Sequence, residues 1–276
     1  TQVGDMFTEL TTAYARDDDP ELIWAAAPFA LKTIDGFLLR NPRDTKLLLA
    51  ATIGYTQYAY GGLVQDADLI EKTDYDRAVH LRRRACRLLI RARDYGIRGA
   101  ATVLPGFEDK LRSDPAAALS AAEKKDVPLL FWTACAWGAA ISLGKDDPEL
   151  MADLFIVEAI MKRVMELDEE FDLGSPHDFM ISLEGARNGN GGTYESAEKH
   201  YRRALEISGG RRASVHVTFA EAVLLPKQKR AEFVAELEAA LKIPVEATPD
   251  QRLANIIAQR RARWLMDKVD ELFLEP

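Results

Sequence analysis

Cysteine and histidine are scarce in this sequence, which contains two cysteines, Cys86 and Cys135, and four histidines. The cysteines lie inside apolar helical stripes without a C-x-x-C pair, and no two histidines have the H-E-x-x-H spacing. We therefore predict neither a disulfide nor a metal site. No Ser–His–Asp or Cys–His arrangement is recognisable, and the sequence suggests no cofactor. These absences argue against an enzyme.

Also lacking are a linker rich in glycine, serine or proline and any alternating run of β-branched residues. The chain has 276 residues, 47% of them hydrophobic, which is enough to bury a large core in one body. We therefore expect a single domain spanning residues 1–276. The net charge of −8 argues against nucleic acid and against an anionic membrane surface as partners.

The prolines indicate an all-α protein, because five of them follow an Asp, Ser or Thr. Such a pair places a capping oxygen before a proline at the first helical position, where the missing N–H costs nothing. The last pair has Gln251 where a capping box requires it. The five predicted helix starts are Asp19-Pro20, Asp114-Pro115, Asp147-Pro148, Ser175-Pro176 and Thr248-Pro249.

The segment YESAEKHYRRALEIS, residues 194–208, carries a repeat signature. Its Ala197, Tyr201 and Ala204 have the small–aromatic–small spacing of the second helix of a tetratricopeptide (TPR) hairpin. Residues 76–92 form a weaker copy. We predict antiparallel helical hairpins of cryptic TPR-like repeats, arranged as an α-solenoid or bundle.

The longest uncharged run has eighteen residues, from Val127 to Gly144. Its length approaches the ~20 apolar residues of a membrane span. However, it includes Pro128, Thr133 and Ser142, and no second stretch of similar length accompanies it. A buried core helix is the preferred interpretation, the wall of a ligand pocket the second, and a membrane span the last.

Aromatic residues keep the pocket interpretation open. Trp132 and Trp137 lie five residues apart, or about 140° around a helix, so they cannot both point into one narrow seam. Core packing explains most such residues. The alternative is an apolar pocket for a small amphipathic ligand. Its lining would be Tyr58, Phe131, Trp132, Trp137 and His177.

The histidines and a glycine-rich segment have simple structural interpretations. His177 stands at a predicted helix start, where a hydrogen-bonding role is expected rather than catalysis. His80 and His200 fall on charged helix faces and are expected to be solvated. The glycines of residues 186–195 lack the context of a phosphate loop and predict a turn before a helix at Tyr194.

An arginine cluster between residues 82 and 93 supports two interpretations. It could clamp a carboxylate of a partner, with Arg83 and Arg87 as the candidate contacts. It could equally be the solvated face of an amphipathic helix, with Asp76 and Asp94 as pairing partners. The cluster comprises Arg82, Arg83, Arg84, Arg87, Arg91 and Arg93.

An ordered set of helical segments resembles the T-component family associated with TRAP (tripartite ATP-independent periplasmic) transporters, often called TatT. The segments are DVPLLFWTACAWGAAISL, ELDEEFDLGSPHDF and YESAEKHYRRALEISGGRRASVHVTFAE, with similar stretches before and after them. Each segment alone is only a helix pattern. The order of the set carries the resemblance, which covers nearly the whole chain.

The resemblance implies a periplasmic protein built on cryptic TPR hairpins that works beside the solute-binding protein of the transporter. It also implies a homotrimer and a lipidated N-terminal cysteine. No such cysteine precedes Thr1 in this sequence, so the lipid anchor is expected in the full-length protein. We therefore expect docking with a solute-binding protein, with a small organic ligand in the pocket. The alternative is a general TPR adaptor that binds a peptide tail.

Overall fold

The structure is a computed structural model that describes residues 2–274. These residues are predominantly helical, and no β-strand occurs among them. The all-α prediction is confirmed. Contacts between Cα atoms divide the chain into two compact units. One contains residues 2–13 and Glu21–Asp168, and the other Tyr14–Pro20 and residues 169–274. The expected extent of one domain over 1–276 stays a prediction.

The first unit is built around a long helix, α5, which packs against α3 and α8. A π-helix, Tyr58–Val64, continues α3 directly. A short 3₁₀-helix precedes α8. In chain order the helices are α1 Gln2–Ala15, α2 Pro20–Arg40, α3 Thr45–Gln57, α4 Gln65–Ile70, α5 Tyr75–Val103, α6 Phe107–Leu111, α7 Pro115–Leu119, α8 Val127–Leu143, α9 Pro148–Ala152 and α10 Leu154–Asp168.

The second unit begins with the pair α11 and α12, which pack together. A second π-helix, Ala220–Leu224, continues α13, and short 3₁₀-helices precede α15. Its core includes Ala197 and Ala204, both fully buried. The helices are α11 Phe171–Ala186, α12 Tyr194–Ser208, α13 Ala213–Phe219, α14 Arg230–Lys242, α15 Arg252–Met266 and α16 Val269–Leu272.

Three of the predicted Asp–Pro helix starts are confirmed, because α2, α7 and α9 each begin at the proline. The Asp114 carboxylate accepts a hydrogen bond from the backbone N–H of Ala117. Asp147 accepts bonds from the N–H groups of Glu149 and Leu150. These bonds satisfy backbone donors that have no partner inside the helix.

At the other two predicted starts a right-handed helical segment begins near the proline, but the predicted cap is wrong. Thr248 forms no capping hydrogen bond before the 3₁₀-helix Pro249–Gln251, and the Gln251 amide donates to Asp172 Oδ1 at 2.5 Å. The Ser175 hydroxyl donates to the Asp172 carbonyl at 3.0 Å and does not cap α11. In both places, Asp172 engages the polar group that sequence reasoning had assigned to a helix end.

The uncharged run forms α8, and its placement agrees with a core helix. Among its buried side chains are Leu130, Ala134 and Trp137, each at most 1% exposed. By length and composition, Lys124–Leu143 could still cross a membrane, and so could Pro20–Arg40. The expectation that no second stretch of this kind exists is therefore wrong. Residues 124–143 are mostly buried within the protein, as in a core helix of a soluble protein.

Helices α5 and α8 pack antiparallel at close range. Cys86 near the start of α5 approaches the carbonyl of Ala140 near the end of α8, with Sγ and O 3.7 Å apart. Further along, Gly96 of α5 meets Thr133 of α8. A Cβ at Gly96 would lie 2.9 Å from Thr133 Cβ, closer than such atoms approach in practice. Only glycine allows this spacing.

We expect Gly96→Ala to lower the free energy of unfolding by about 1–3 kcal/mol through overpacking between α5 and α8. Gly36→Ala is the matched control, since an added Cβ there meets nothing within 4 Å. Gly36 lies inside α2, so its replacement should raise stability by up to about 1 kcal/mol. Urea denaturation measures both. Equal effects of the two changes would contradict the close packing described above.

The second unit contains an antiparallel hairpin, α11–α12. His177 faces His200, and Glu184 accepts a hydrogen bond from the backbone N–H of Thr193 at 3.1 Å. Thr193 caps α12, which begins at Tyr194 after a turn, as predicted. The TPR character of this hairpin and a solenoid arrangement stay predictions.

Helix α13 then runs parallel to α11. Near its start, Ser214 donates to Asp178 Oδ2 of α11 at 2.6 Å. Farther on, in the π-helix that continues α13, Ala222 lies against Gly185 near the end of α11.

Candidate functional site

Tyr58, a predicted pocket residue, begins the π-helix of the first unit. It is buried, and the guanidinium of Arg84 lies 5.7 Å from the centroid of its ring. Arg84 also donates to the Tyr58 hydroxyl at 3.3 Å. Gly62 of the same π-helix packs against the indole of Trp24. Such widened helical turns are frequent at functional sites, which keeps this segment a candidate.

The aromatic residues of α8 differ in burial. Trp137 is 1% exposed and Phe131 5% exposed, whereas Trp132 is half-buried. The rings of Phe131 and Trp132 meet edge to face at 5.5 Å. Arg93 lies 5.2 Å from the centroid of Trp137. This difference agrees with the 140° between the two tryptophans, and it identifies Trp137 as the one in the core.

The indole N–H of Trp137 has no hydrogen-bond acceptor among residues 2–274, although its nitrogen is fully buried. A buried tryptophan usually donates this hydrogen to a partner. Leaving a buried donor unsatisfied costs about 1–3 kcal/mol. Among the predicted pocket residues, Trp137 is thus the one with an unsatisfied buried donor.

Asp35 joins α2 to α3 and α5, and sequence reasoning missed it. Its carboxylate accepts hydrogen bonds from the hydroxyls of Tyr55 at 2.8 Å and Tyr95 at 2.7 Å, and it pairs with Lys32. Burial alone would raise the pKa of Asp35, but the three donors outweigh it and hold that pKa below 3.8. Burial, aided by the Asp35 charge, raises the pKa of Tyr55 to about 12.

Arg83 and Arg87, the predicted partner contacts, are exposed on the outer face of α5. Neither forms an ion pair within the part of the chain that the structure describes. The predicted ion pair with Asp94 forms with Arg93, whose guanidinium nitrogen lies 2.7 Å from Asp94 Oδ1. Both side chains are thus available to a partner. This exposure fits the partner contact and the solvated helix face equally well.

His177 is buried in the second unit, where its ring bridges two groups. Its Nδ1 lies 2.8 Å from Nδ1 of His200, and its Nε2 lies 3.0 Å from the carboxylate of Glu169. Arg203 pairs with the other oxygen of Glu169 at 2.5 Å. The predicted hydrogen-bonding role of His177 is confirmed. The expectation that His200 is solvated is wrong, whereas His80 is exposed as expected.

The charge states of this cluster follow from its geometry. Hydrogen bonds from Arg203 and then from His177 lower the pKa of Glu169 to about 2, so its carboxylate stays ionised. Burial lowers the pKa of His177, although the hydrogen bond to Glu169 acts in the opposite direction. Burial, with the neighbouring His177, also lowers the pKa of His200. Two neutral rings can share one hydrogen between their Nδ1 atoms, while two protonated rings cannot.

A rise in acidity should therefore destabilise the protein. The folded pKa values of both histidines lie below their usual 6.5, so their contribution is present above pH 6.5 and is lost as the pH falls through the folded values. We expect the melting temperature to drop by roughly 2–4 °C between pH 7.5 and 5.5. Scanning calorimetry at several pH values measures it.

Two variants test whether the histidine pair causes this pH dependence of the melting temperature. His200→Gln should flatten it, because it removes one titrating ring of the pair. His80→Gln, at an exposed histidine of the first unit, should leave it unchanged. A slope that survives His200→Gln in full would show that other groups cause the acid sensitivity.

A left-handed turn precedes the right-handed part of α11. Asp172, Leu173 and Gly174 have φ values of 46°, 55° and 84°. The first two are unusual, because side chains rarely adopt this conformation. Arg212, from the segment before α13, donates to the Asp172 carbonyl at 2.6 Å and to the Ser175 hydroxyl. These bonds hold the turn in place.

Arg212 is also paired electrostatically. The buried guanidinium lies 3.5 Å from carboxylate oxygens of both Asp172 and Asp178. The Ser214 hydroxyl donates to the same oxygen of Asp178. This network explains the strained turn as a structural anchor. It needs no ligand for its main contacts.

The predicted site residues thus fall into separate groups. Tyr58, Phe131, Trp132 and Trp137 belong to the first unit, on the π-helix and α8, whereas His177 belongs to the second unit and has its partners there. Within residues 2–274, no group of three or more His, Cys, Asp or Glu side chains could hold a metal ion. Neither Cys86 nor Cys135 forms a disulfide with a described residue.

Comparison with known families bears on which of these functions the chain has. A family model described as "TRAP transporter T-component" matches residues 16–273. The chain belongs to the TRAP transporter T-component family. The resemblance drawn from the ordered helical segments is confirmed. T-components are parts of a transport system and not a known enzyme family, and membership indicates a periplasmic or membrane-associated location.

A relative of this T-component occurs in a spirochaete. An uncharacterized protein of Treponema pallidum (strain Nichols) is 26% identical over 272 residues. The alignment covers 97% of this chain and 84% of the other protein. The similarity therefore extends over both units described above.

Proposed function

We propose that this T-component docks with the solute-binding protein of a TRAP transport system and holds a small, partly apolar solute in an internal pocket. The observation that carries the first part is the family match over residues 16–273, nearly the whole chain. The absence of a plausible catalytic constellation in the sequence supports a binding role. In this role the protein makes contacts and catalyses nothing.

The proposed pocket lies within the first unit, beside Trp137 and the π-helix that begins at Tyr58. Its support is the unpartnered and buried indole N–H of Trp137, on a helix whose other aromatic residues are Phe131 and Trp132. Such settings suit ligands that are mainly apolar and carry a few polar atoms. The solute should therefore present an acceptor oxygen to Trp137 Nε1.

Further parts of the proposal come from the family resemblance. We infer a lipid anchor ahead of Thr1 in the full-length protein, outside the described residues, and a homotrimeric assembly. We also propose that the α11–α12 and α13–α14 hairpins are degenerate TPR repeats. The antiparallel hairpin α11–α12 and the parallel course of α11 and α13 support this assignment.

The exposed pair Arg83 and Arg87 provides a test of docking. We expect Arg83→Glu/Arg87→Glu to leave the melting temperature within about 1 °C of wild type, since both side chains are exposed. Affinity for the solute-binding protein should fall roughly tenfold if these charges face it. Calorimetric titration measures this loss. Unchanged affinity would remove the two arginines from the docking surface.

The alternative function is a general adaptor for a peptide tail. The basic face of α5 favours it, because arginines can bind the carboxylate of such a tail. Titration of the T-component with the solute-binding protein encoded beside its gene separates the two functions. Saturable binding near one to one supports the transport role. Absence of binding, with and without the solute, favours the adaptor.

A further inference from the structure

Three arginines on α5 each lie over a tyrosine ring. They follow one another at intervals of seven residues, or about 10 Å along the helix, and so lie in one row along its surface. The pairs are Arg84 over Tyr58 at 5.7 Å, Arg91 over Tyr55 at 5.5 Å and Arg98 over Tyr95 at 5.4 Å. We call these three arginines the guanidinium row.

Contacts within the protein fix the position of each arginine of the row, but most of their N–H donors stay available to a partner. Arg84 and Arg91 each donate to the hydroxyl of the tyrosine beneath or beside them at 3.3 Å, and Arg98 donates to the Pro42 carbonyl at 2.9 Å. A guanidinium has five N–H donors. Stacking on an aromatic face fixes its plane and leaves its edge for a carboxylate.

Local charge in the row is strongly positive. In the described part of the chain, the row has one ion pair, between Arg91 and Asp35 at 3.8 Å, and the Asp35 carboxylate also pairs with Lys32 and accepts hydrogen bonds from two tyrosines. No ion pair of Arg84 or Arg98 occurs between residues 2 and 274. Arg87, four residues before Arg91, is exposed beside the row. A protein of net charge −8 thus concentrates its positive charge here.

We infer that the guanidinium row is the docking surface for an acidic face of a protein partner. The row spans fourteen residues of α5, or about 21 Å, which is too long for one small solute. It fits carboxylates spaced about 10 Å apart, as Glu or Asp at seven-residue intervals on a helix would be. Resting on the proposed function, the partner is the solute-binding protein.

The test compares three variants with wild type by calorimetric titration with the solute-binding protein encoded beside the gene. The first is Arg84→Gln/Arg91→Gln/Arg98→Gln, which removes the row. The second changes the same arginines to Lys, which keeps the charge but loses the two-pronged geometry. The third, Arg16→Gln/Arg202→Gln/Arg230→Gln, is a control that removes equal charge at exposed arginines of the second unit.

We expect the Gln variant to bind about 100-fold more weakly, roughly fivefold for each guanidinium lost, and the Lys variant about tenfold more weakly. The control should bind within twofold of wild type. Wild-type affinity should also fall steeply as salt rises from 50 to 300 mM, because screening weakens charge pairing. If the Gln variant does not fold, a tenfold loss in the Lys variant carries the same conclusion.

Three results overturn the inference in different ways. If wild type binds and the Gln variant binds equally well, the docking surface lies elsewhere and the proposed function stands. If wild type does not bind at all, the proposed function fails and this assignment of partner fails with it. Wild-type binding to phosphatidylglycerol vesicles, without binding to the protein, would assign the row to a lipid surface and overturn the inference as well.

Discussion

Trp137→Ala should lower the free energy of unfolding by about 3–5 kcal/mol, because it removes a large ring from a closely packed core. The side chain is 1% exposed, and its ring faces Arg93 of α5, the helix against which α8 packs. Chemical denaturation followed by circular dichroism measures the loss.

Two variants separate packing from hydrogen bonding at this position. Trp132→Ala, at the half-buried tryptophan of the same helix, should cost clearly less. Trp137→Phe keeps an aromatic ring but removes the N–H. It should therefore retain most of the stability, while its affinity for a solute that accepts a hydrogen bond from Trp137 should fall. A Trp137→Ala variant as stable as Trp132→Ala would contradict the core assignment.

Arg212→Ala should be as damaging, with an expected loss of about 3–5 kcal/mol. The change leaves Asp178 buried without its cation and removes two hydrogen bonds that hold the left-handed turn at Asp172. An uncompensated buried charge is the main cost. Thermal and urea unfolding of the purified variant measure the loss.

Arg202→Ala is the matched control in the same unit. Arg202 pairs with Glu198 on the exposed face of α12, and such a pair contributes about 0.3–0.5 kcal/mol. Arg212→Lys should give an intermediate loss, since it keeps the charge but cannot reach all its partners. If Arg212→Ala and Arg202→Ala had equal effects, the network would be incidental to stability.

Local sequence signals predicted much of the secondary structure. Asp–Pro pairs marked the starts of α2, α7 and α9, because capping and the fixed φ of proline act within a few residues. The uncharged composition of 127–144 predicted a buried helix, since charged residues are almost never buried without partners. Ser175 and Gln251 carried the same kind of local signal, but neither caps a helix, because the Ser175 hydroxyl bonds with Asp172 and Arg212 and the Gln251 amide donates to Asp172.

The candidate sites were harder to predict, because they depend on contacts between distant segments. Asp35 gave no local signal of its bonds to Tyr55 and Tyr95, which lie 20 and 60 residues away. The His177–His200 pair could have been found, since an antiparallel hairpin centred on the glycine-rich turn places these positions opposite each other. The seven-residue spacing of Arg84, Arg91 and Arg98 was visible in the sequence, but their tyrosine partners were not.

The most direct test of the proposed function is calorimetric titration of the purified T-component with the solute-binding protein encoded beside its gene, in the presence and absence of the solute. We predict saturable binding with a stoichiometry near one to one, and any dependence on solute identifies the state that is recognised. Absence of binding in both states would contradict the docking role.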